Sequence, residues 1–425
     1  MFTRRTKYFM KHLHDNFHDL EPIFRKSPMM KDGEYKKVIL QLHKDMMEAD
    51  VHVNQLYEHE SISYTHHTIQ SKKDIPAPKE GLSKIFMSDS IHNWITQQSS
   101  FFIQYTCEFM GKNINVFFIY DDTCWNKASF EYCNKYIRWI LMWFYIANVY
   151  ARKECSQELN VYIFMNSTEK TLPTSSIDPL NASHMNSGYT TCCTKDSSIV
   201  IFRREEWFNV LLHETFHNFG LDFCSLDNKS IVKSLSTFFS VRSKFDVFEA
   251  YCEYWAITMN TLFIAYHIDE EQKIKSRFVI NRFHELLKFE RMFSMFQMIK
   301  ILNHMSLVYD DVLTHSTSLN KNKTSEVSIK YKERTNAFSY YVLKNVLMFH
   351  HAEFMCWNKT NNTSLLQFQN NTHVQARFVT FIHKHSHAMN FVAAINLSSI
   401  LFHKILDTRK LKKLYNTTRM SVLEI

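Results

Sequence analysis

Apolar residues recur along this chain with two periods, and the switch between them predicts where strands give way to helices. Residues 114–120 and 159–165 are short runs of β-branched and aromatic side chains between polar stretches, which predicts buried strands. Between them, residues 131–151 carry a long aromatic-rich pattern that predicts a helix. A turn-rich loop containing Pro173 and Pro179 follows, then residues 185–191 as an edge strand and 198–203 as a strand feeding a helix. That helix opens at Glu205-Glu206-Trp207, with acidic residues in its first turn. The predicted order is strand, helix, strand, edge strand, strand, helix.

Beyond Gly220 the remaining 205 residues contain neither Gly nor Pro. Average usage would place roughly 25 there, so the segment predicts a helical lobe. Long apolar patterns cover 279–307, 336–354 and 376–406, with polar turns at 320–325 and 358–363. Residues 1–60 are charged and have helical spacing, and 60–81, with Pro76 and Pro78, reads as a linker. The expectation is an α+β protein in three parts: a helical accessory or propeptide-like N-terminal extension with its linker (1–80), a lobe with a small mixed sheet (81–223) and an all-helical lobe (224–425).

The helix opening at Glu205 contains His213-Glu214-Thr215-Phe216-His217. Histidines four apart on a helix stand one above the other and can direct ring nitrogens at one tetrahedral ion, with Glu214 beside them to reach a bound water. Val210, Leu211, Leu212, Phe216 and Phe219 supply an apolar surround, and Gly220 falls where a helix commonly ends in a left-handed residue. Two other His pairs at this spacing, His14/His18 and His383/His387, lack the adjacent Glu and read as solvated faces.

A catalytic zinc needs a third protein ligand. A metzincin would place a His at position 223, which is Phe223, with Asp222 one residue out of register. Further along, Glu249 and Glu253 lie four apart among Phe248, Tyr251, Tyr254 and Trp255. Buried acids on so apolar a helix need partners. Glu249 as ligand and Glu253 as acceptor for one ligand imidazole's other N–H satisfies both, although the two could exchange roles.

These residues resemble the gluzincin branch of zinc metallopeptidases. The resemblance implies a zincin-like fold, Zn2+ held by His213, His217 and Glu249, and peptide hydrolysis by a metal-activated water with Glu214 as general base. Such domains resemble one another in binding extended peptide along an edge strand, which here implicates Asn186, Gly188 and Tyr189. The family also employs a Tyr or His donor for the oxyanion, for which Tyr340 or Tyr341 would serve. The rival expectation is a structural or interaction protein that keeps the scaffold and a bound zinc without turnover.

Composition adds boundary conditions. The basic N-terminus lacks a following apolar stretch, so no secretory signal is expected, and the longest apolar run, at 137–151, contains Arg138 and is too short to span a membrane. Nine cysteines without paired spacing predict reduced thiols in a cytoplasmic compartment, with Cys192-Cys193 incidental. A net charge of +8, with a short basic cluster at 409–413, favours acidic partners without any nucleic-acid module. The Asn-, Lys- and Phe-rich, Gly-poor composition is similar to uncharacterised metallopeptidase-like proteins of large DNA viruses that replicate in the cytoplasm, which implies a virion-associated protein.

Overall fold

A computed structural model describes residues 2–25, 33–123, 127–271, 279–314, 327, 329–406 and 412–424. The architecture is α+β: one six-stranded mixed sheet and a large set of helices. The strands are β1 (Ser63–Thr68), β2 (Ser99–Phe109), β3 (Lys112–Asp121), β4 (Glu158–Phe164), β5 (Gly188–Thr190) and β6 (Asp196–Ile201), in the order β1-β2-β3-β4-β6-β5. β3, β4 and β6 run parallel, whereas β1, β2 and β5 pair antiparallel with their neighbours.

The central strands read as unbroken apolar runs because both faces are covered. Phe118, Ile163, Ile199 and Ile201 point into the main core, where they meet the helix Lys127–Tyr150. The alternate residues Ile119, Tyr162, Phe164 and Val200 pack under the helix Asp89–Gln98 through Ile91, Trp94 and Ile95. The predicted succession of β3, helix, β4, β5, β6 and motif helix is therefore observed. β2 and β1 were not anticipated, and β1 draws the expected linker at 60–81 into the sheet.

The N-terminal residues are not an appendage. The helix Arg4–Phe17 buries Phe9, Leu13 and Phe17, one stripe at helical spacing, and Phe9 and Phe17 lie against Phe293 and Phe296 of the helix Val279–His304. A continuous apolar core runs from these residues through the motif helix to Leu423.

The C-terminal half is helical, as expected, with finer breaks. The stretch 336–354 resolves into a π-helical turn (Phe338–Leu343) and the helices Lys344–Phe349 and His351–Asn361, so the turn expected at 358–363 begins only after Asn361. The stretch 376–406 splits into Thr372–Ser386 and Met389–Leu406. The turn at 320–325 and most of the basic cluster at 409–413 lie outside the described residues. Among the described residues no helix is long and apolar enough to cross a membrane.

Cys155 and Cys193 form a disulfide, which corrects the expectation that all nine cysteines are thiols and that Cys193 is incidental. The inference of a reducing compartment from cysteine usage therefore loses its footing.

Candidate metal centre

The motif lies on α1 (Trp207–Asn218), every residue of which is buried. Such a helix has no solvated face, so polar side chains on it must find partners inside the protein. Its C-terminus is closed by Gly220 at φ +65°, with the Leu221 N–H donating to the Phe216 carbonyl at 2.8 Å. That turn reverses the chain and returns Asp222 beneath His217.

Running alongside is α2 (Phe248–Glu271), which carries Glu249, Cys252 and Glu253. Glu249 Oε2 lies 2.9 Å from His213 Nε2 and 3.5 Å from His217 Nε2, and the two Nε2 atoms are 3.1 Å apart. A tetrahedral ion with bonds of 2.0–2.1 Å holds its ligand atoms about 3.3 Å from one another. The observed triangle has that size, and the same three residues form a group able to hold a metal ion.

The outer nitrogens fix what the inner ones offer. Asp222 Oδ2 stands 2.5 Å from His217 Nδ1, and Glu253 Oε2 stands 3.0 Å from His213 Nδ1. The second approach has the distance of an ion pair without the alignment of a hydrogen bond. A carboxylate beside each Nδ1 turns the Nε2 of each ring toward the same point. Two imidazole nitrogens and a carboxylate oxygen at these distances need a proton or a cation among them, and their donor types and spacing suit a metal ion. The residues fit zinc on this ground.

The surroundings hold each acid in place. Asn336 Nδ2 donates to Glu249 Oε1 at 3.1 Å, the Tyr340 hydroxyl donates to Glu249 Oε2 at 3.2 Å, and Asn209 Nδ2 donates to Glu253 Oε1 at 3.1 Å. Cys252 donates to Asp222 Oδ2 at 3.5 Å. Burial holds the Cys252 thiol well above its usual range, so it serves Asp222 as a neutral donor.

Glu214 differs from the other acids. Among the described residues its carboxylate makes no hydrogen bond or ion pair, and it faces a cleft of about 670 Å³ shared with His213, His217, Glu249 and Tyr340. Burial pushes its carboxyl up to about 6, against the pull of His213 and His217. Gly188, on the edge strand β5, packs on this helix: a Cβ there would lie 2.8 Å from Val210 Cγ1 and 3.2 Å from Glu214 Cγ. Only glycine lets β5 approach so closely.

The fold thus brings together His213, Glu214, His217, Glu249, Glu253 and Tyr340, with Asn186, Gly188 and Tyr189 along the cleft. Tyr341 does not line the cleft: fully buried, it donates to the Thr418 carbonyl at 2.6 Å. Sequence reasoning missed Asp222, Asn336 and Asn209 as supporting residues. The decoy His14 is exposed, but His385, within the second His-rich stretch, is buried with its ring 4.2 Å from that of His350. The chain matches no known protein-family model, no curated protein and no solved structure.

Proposed function

We propose that the protein is a zinc-dependent peptidase, with His213, His217 and Glu249 as the metal-holding residues. The observation that carries this reading is the unpaired Glu214 carboxylate beside three convergent ligand atoms. A purely structural zinc site has no use for a free carboxylate and closes its fourth position with another ligand, which weighs against the scaffold reading.

Bound zinc supplies a Lewis acid that polarises the scissile carbonyl and lowers the pKa of water. The chain's own residues do the rest. Glu214 takes a proton from the attacking water and hands it to the leaving amine. Asp222 and Glu253 keep the two imidazoles oriented toward the shared point. The Tyr340 hydroxyl, which donates to Glu249 Oε2 at 3.2 Å and lines the cleft, is the donor assigned to the oxyanion. Substrate lies along β5, whose outward backbone groups are free to pair with an extended peptide.

The test separates metal from turnover. Glu214→Gln keeps full zinc stoichiometry by elemental analysis and loses cleavage of a broad peptide library, whereas His213→Ala and Glu249→Ala lose zinc as well. Cleavage undiminished in Glu214→Gln, or full zinc in Glu249→Ala, overturns the assignment.

A further inference from the structure

The rim of the cleft carries a charge pattern that the catalytic residues do not use. Two short segments, Arg242-Ser243-Lys244 and Lys332-Glu333-Arg334, lie side by side, joined at their centres by a hydrogen bond of 2.5 Å from Ser243 Oγ to Glu333 Oε1. The second segment is also fixed by backbone bonds to Leu180, from Leu180 N to the Lys332 carbonyl at 3.1 Å and from Arg334 N to the Leu180 carbonyl at 2.7 Å. Pairing the central residues leaves the flanking ones outward, and Arg242, Lys244, Lys332 and Arg334 are all exposed.

Lys244 and Arg334 line the cleft itself. None of the four cations forms an ion pair among the described residues. Glu333, the only acid in the two segments, also accepts the Phe338 N–H at 2.9 Å, and burial pushes its carboxyl up to about 8. It therefore does little to offset the positive rim.

A second part of the same cleft is apolar. Phe86 stacks on Tyr189 of β5 with ring centroids 5.2 Å apart, and the Tyr189 hydroxyl accepts the Ser83 N–H at 3.0 Å, which fastens this loop to the edge strand. Ile85 beside it is 81% exposed and Phe86 39%. Between the two parts runs β5, where Ser187 and Thr191 bond inward to β6, so alternation turns the backbone groups of Gly188 and Thr190 to the free edge.

We propose that the cleft takes an extended acidic polypeptide segment, its carboxylates facing Lys244 and Arg334 and a bulky apolar side chain resting on Phe86 and Ile85. This rests on the peptidase reading and names its substrate class. A strand edge and an apolar platform have no use for a phosphodiester backbone. A peptide answers all three features at once: edge, platform and cations.

The test is binding to the zinc-loaded Glu214→Gln protein, read by fluorescence anisotropy. The probes are labelled decapeptides with a central Phe-Leu flanked by Glu or by Lys, the Glu peptide with Phe-Leu replaced by Ala-Ala, and a single-stranded oligothymidylate. The Glu peptide binds about tenfold tighter than the Lys peptide in low salt, from two exposed ion pairs, and the difference fades in high salt. Lys244→Gln/Arg334→Gln removes the preference while circular dichroism stays unchanged, and Phe86→Ser weakens the Phe-Leu peptide toward the Ala-Ala one.

Equal affinity for Glu and Lys peptides, a preference that survives the double substitution, or tighter binding of the oligonucleotide overturns the proposal. Cleavage by the wild-type protein without charge preference overturns it and leaves the peptidase reading standing. Charge-dependent binding without cleavage by the wild-type protein does the reverse.

Discussion

Asp222 offers the sharpest test of the metal centre, because it touches no substrate and acts only through His217. Its carboxylate is 2% exposed and stands 2.5 Å from His217 Nδ1. A carboxylate at that position raises the basicity of the ring and fixes its orientation, and losing such a partner typically costs 10–100-fold in metal affinity. Because this contact is short and buried, Asp222→Ala is expected at the upper end, about 100-fold, or about 2.7 kcal/mol of zinc binding free energy.

Asp222→Asn keeps an acceptor oxygen and the bond to the Cys224 N–H, so it isolates the charge and is expected to lose about tenfold. Glu253→Ala serves as the comparison. Its approach to His213 Nδ1 is longer, at 3.0 Å, and not aligned as a hydrogen bond, so its loss is the smaller. The assay is competition for zinc against a chromophoric chelator at fixed pH, with circular dichroism to show that each variant is folded. Affinity unchanged within about twofold in Asp222→Ala, or a larger loss in Glu253→Ala, refutes the reasoning that Asp222 orients the ligand.

Three further outcomes follow from the same geometry. Gly188→Ala places a methyl 2.8 Å from Val210 Cγ1 and 3.0 Å from the Val200 carbonyl oxygen, so it should lower stability by about 1–3 kcal/mol in urea titration, and an unchanged midpoint contradicts the close packing of β5 on α1. Tyr340→Phe should keep zinc and lower kcat by about 100-fold, whereas Tyr341→Phe should leave kcat alone and cost about 1 kcal/mol of stability through its lost bond to Thr418; the opposite pattern in steady-state kinetics reverses the two roles. Chelation of zinc should destabilise the protein by about 4 kcal/mol when the metal stands near 1,000 times its Kd, seen as a lowered melting temperature that Glu249→Ala no longer shows.

What was legible in the sequence was local. His213 and His217 share a turn, the parallel strands are apolar on both faces, and the absence of Gly and Pro after Gly220 leaves helix as the outcome. β2 was also legible and was overlooked: Phe101, Ile103, Tyr105, Cys107 and Phe109 alternate with Phe102, Gln104, Thr106 and Glu108, the period of a strand with one wet face. The choice between Tyr340 and Tyr341 was not legible. Neighbours on a helix differ by about 100° in direction, and a π-helical turn across Phe338–Leu343 alters the register that decides which one faces the cleft. In the sequence Asp222 offers only a misplaced metzincin ligand, because its use depends on the reversal at Gly220, which sequence marks as a helix stop without giving the direction of the following chain.

Burying the whole of α1 explains why so many polar side chains converge there. A helix with one wet face could leave a histidine pair in water, but here each imidazole is matched from another element: Asp222 from the returning chain, Glu249 and Glu253 from α2, with Asn336 and Tyr340 from the stretch around the π-helical turn holding Glu249. The N-terminus of α1 is held in the same way. Glu206 sits at φ +58°, its N–H donates to Glu424 Oε1, and its carboxylate accepts from the Met420 and Ser421 N–H groups and pairs with Lys170 at 2.8 Å. Buried charges of this kind contribute little net stability, yet removing one partner strands the other at a cost of about 3–5 kcal/mol. They therefore act as fixed points. With α1 pinned at Glu206 and at Gly220, the Nε2 atoms of His213 and His217 have one place to point, and Glu249 need only arrive there from α2.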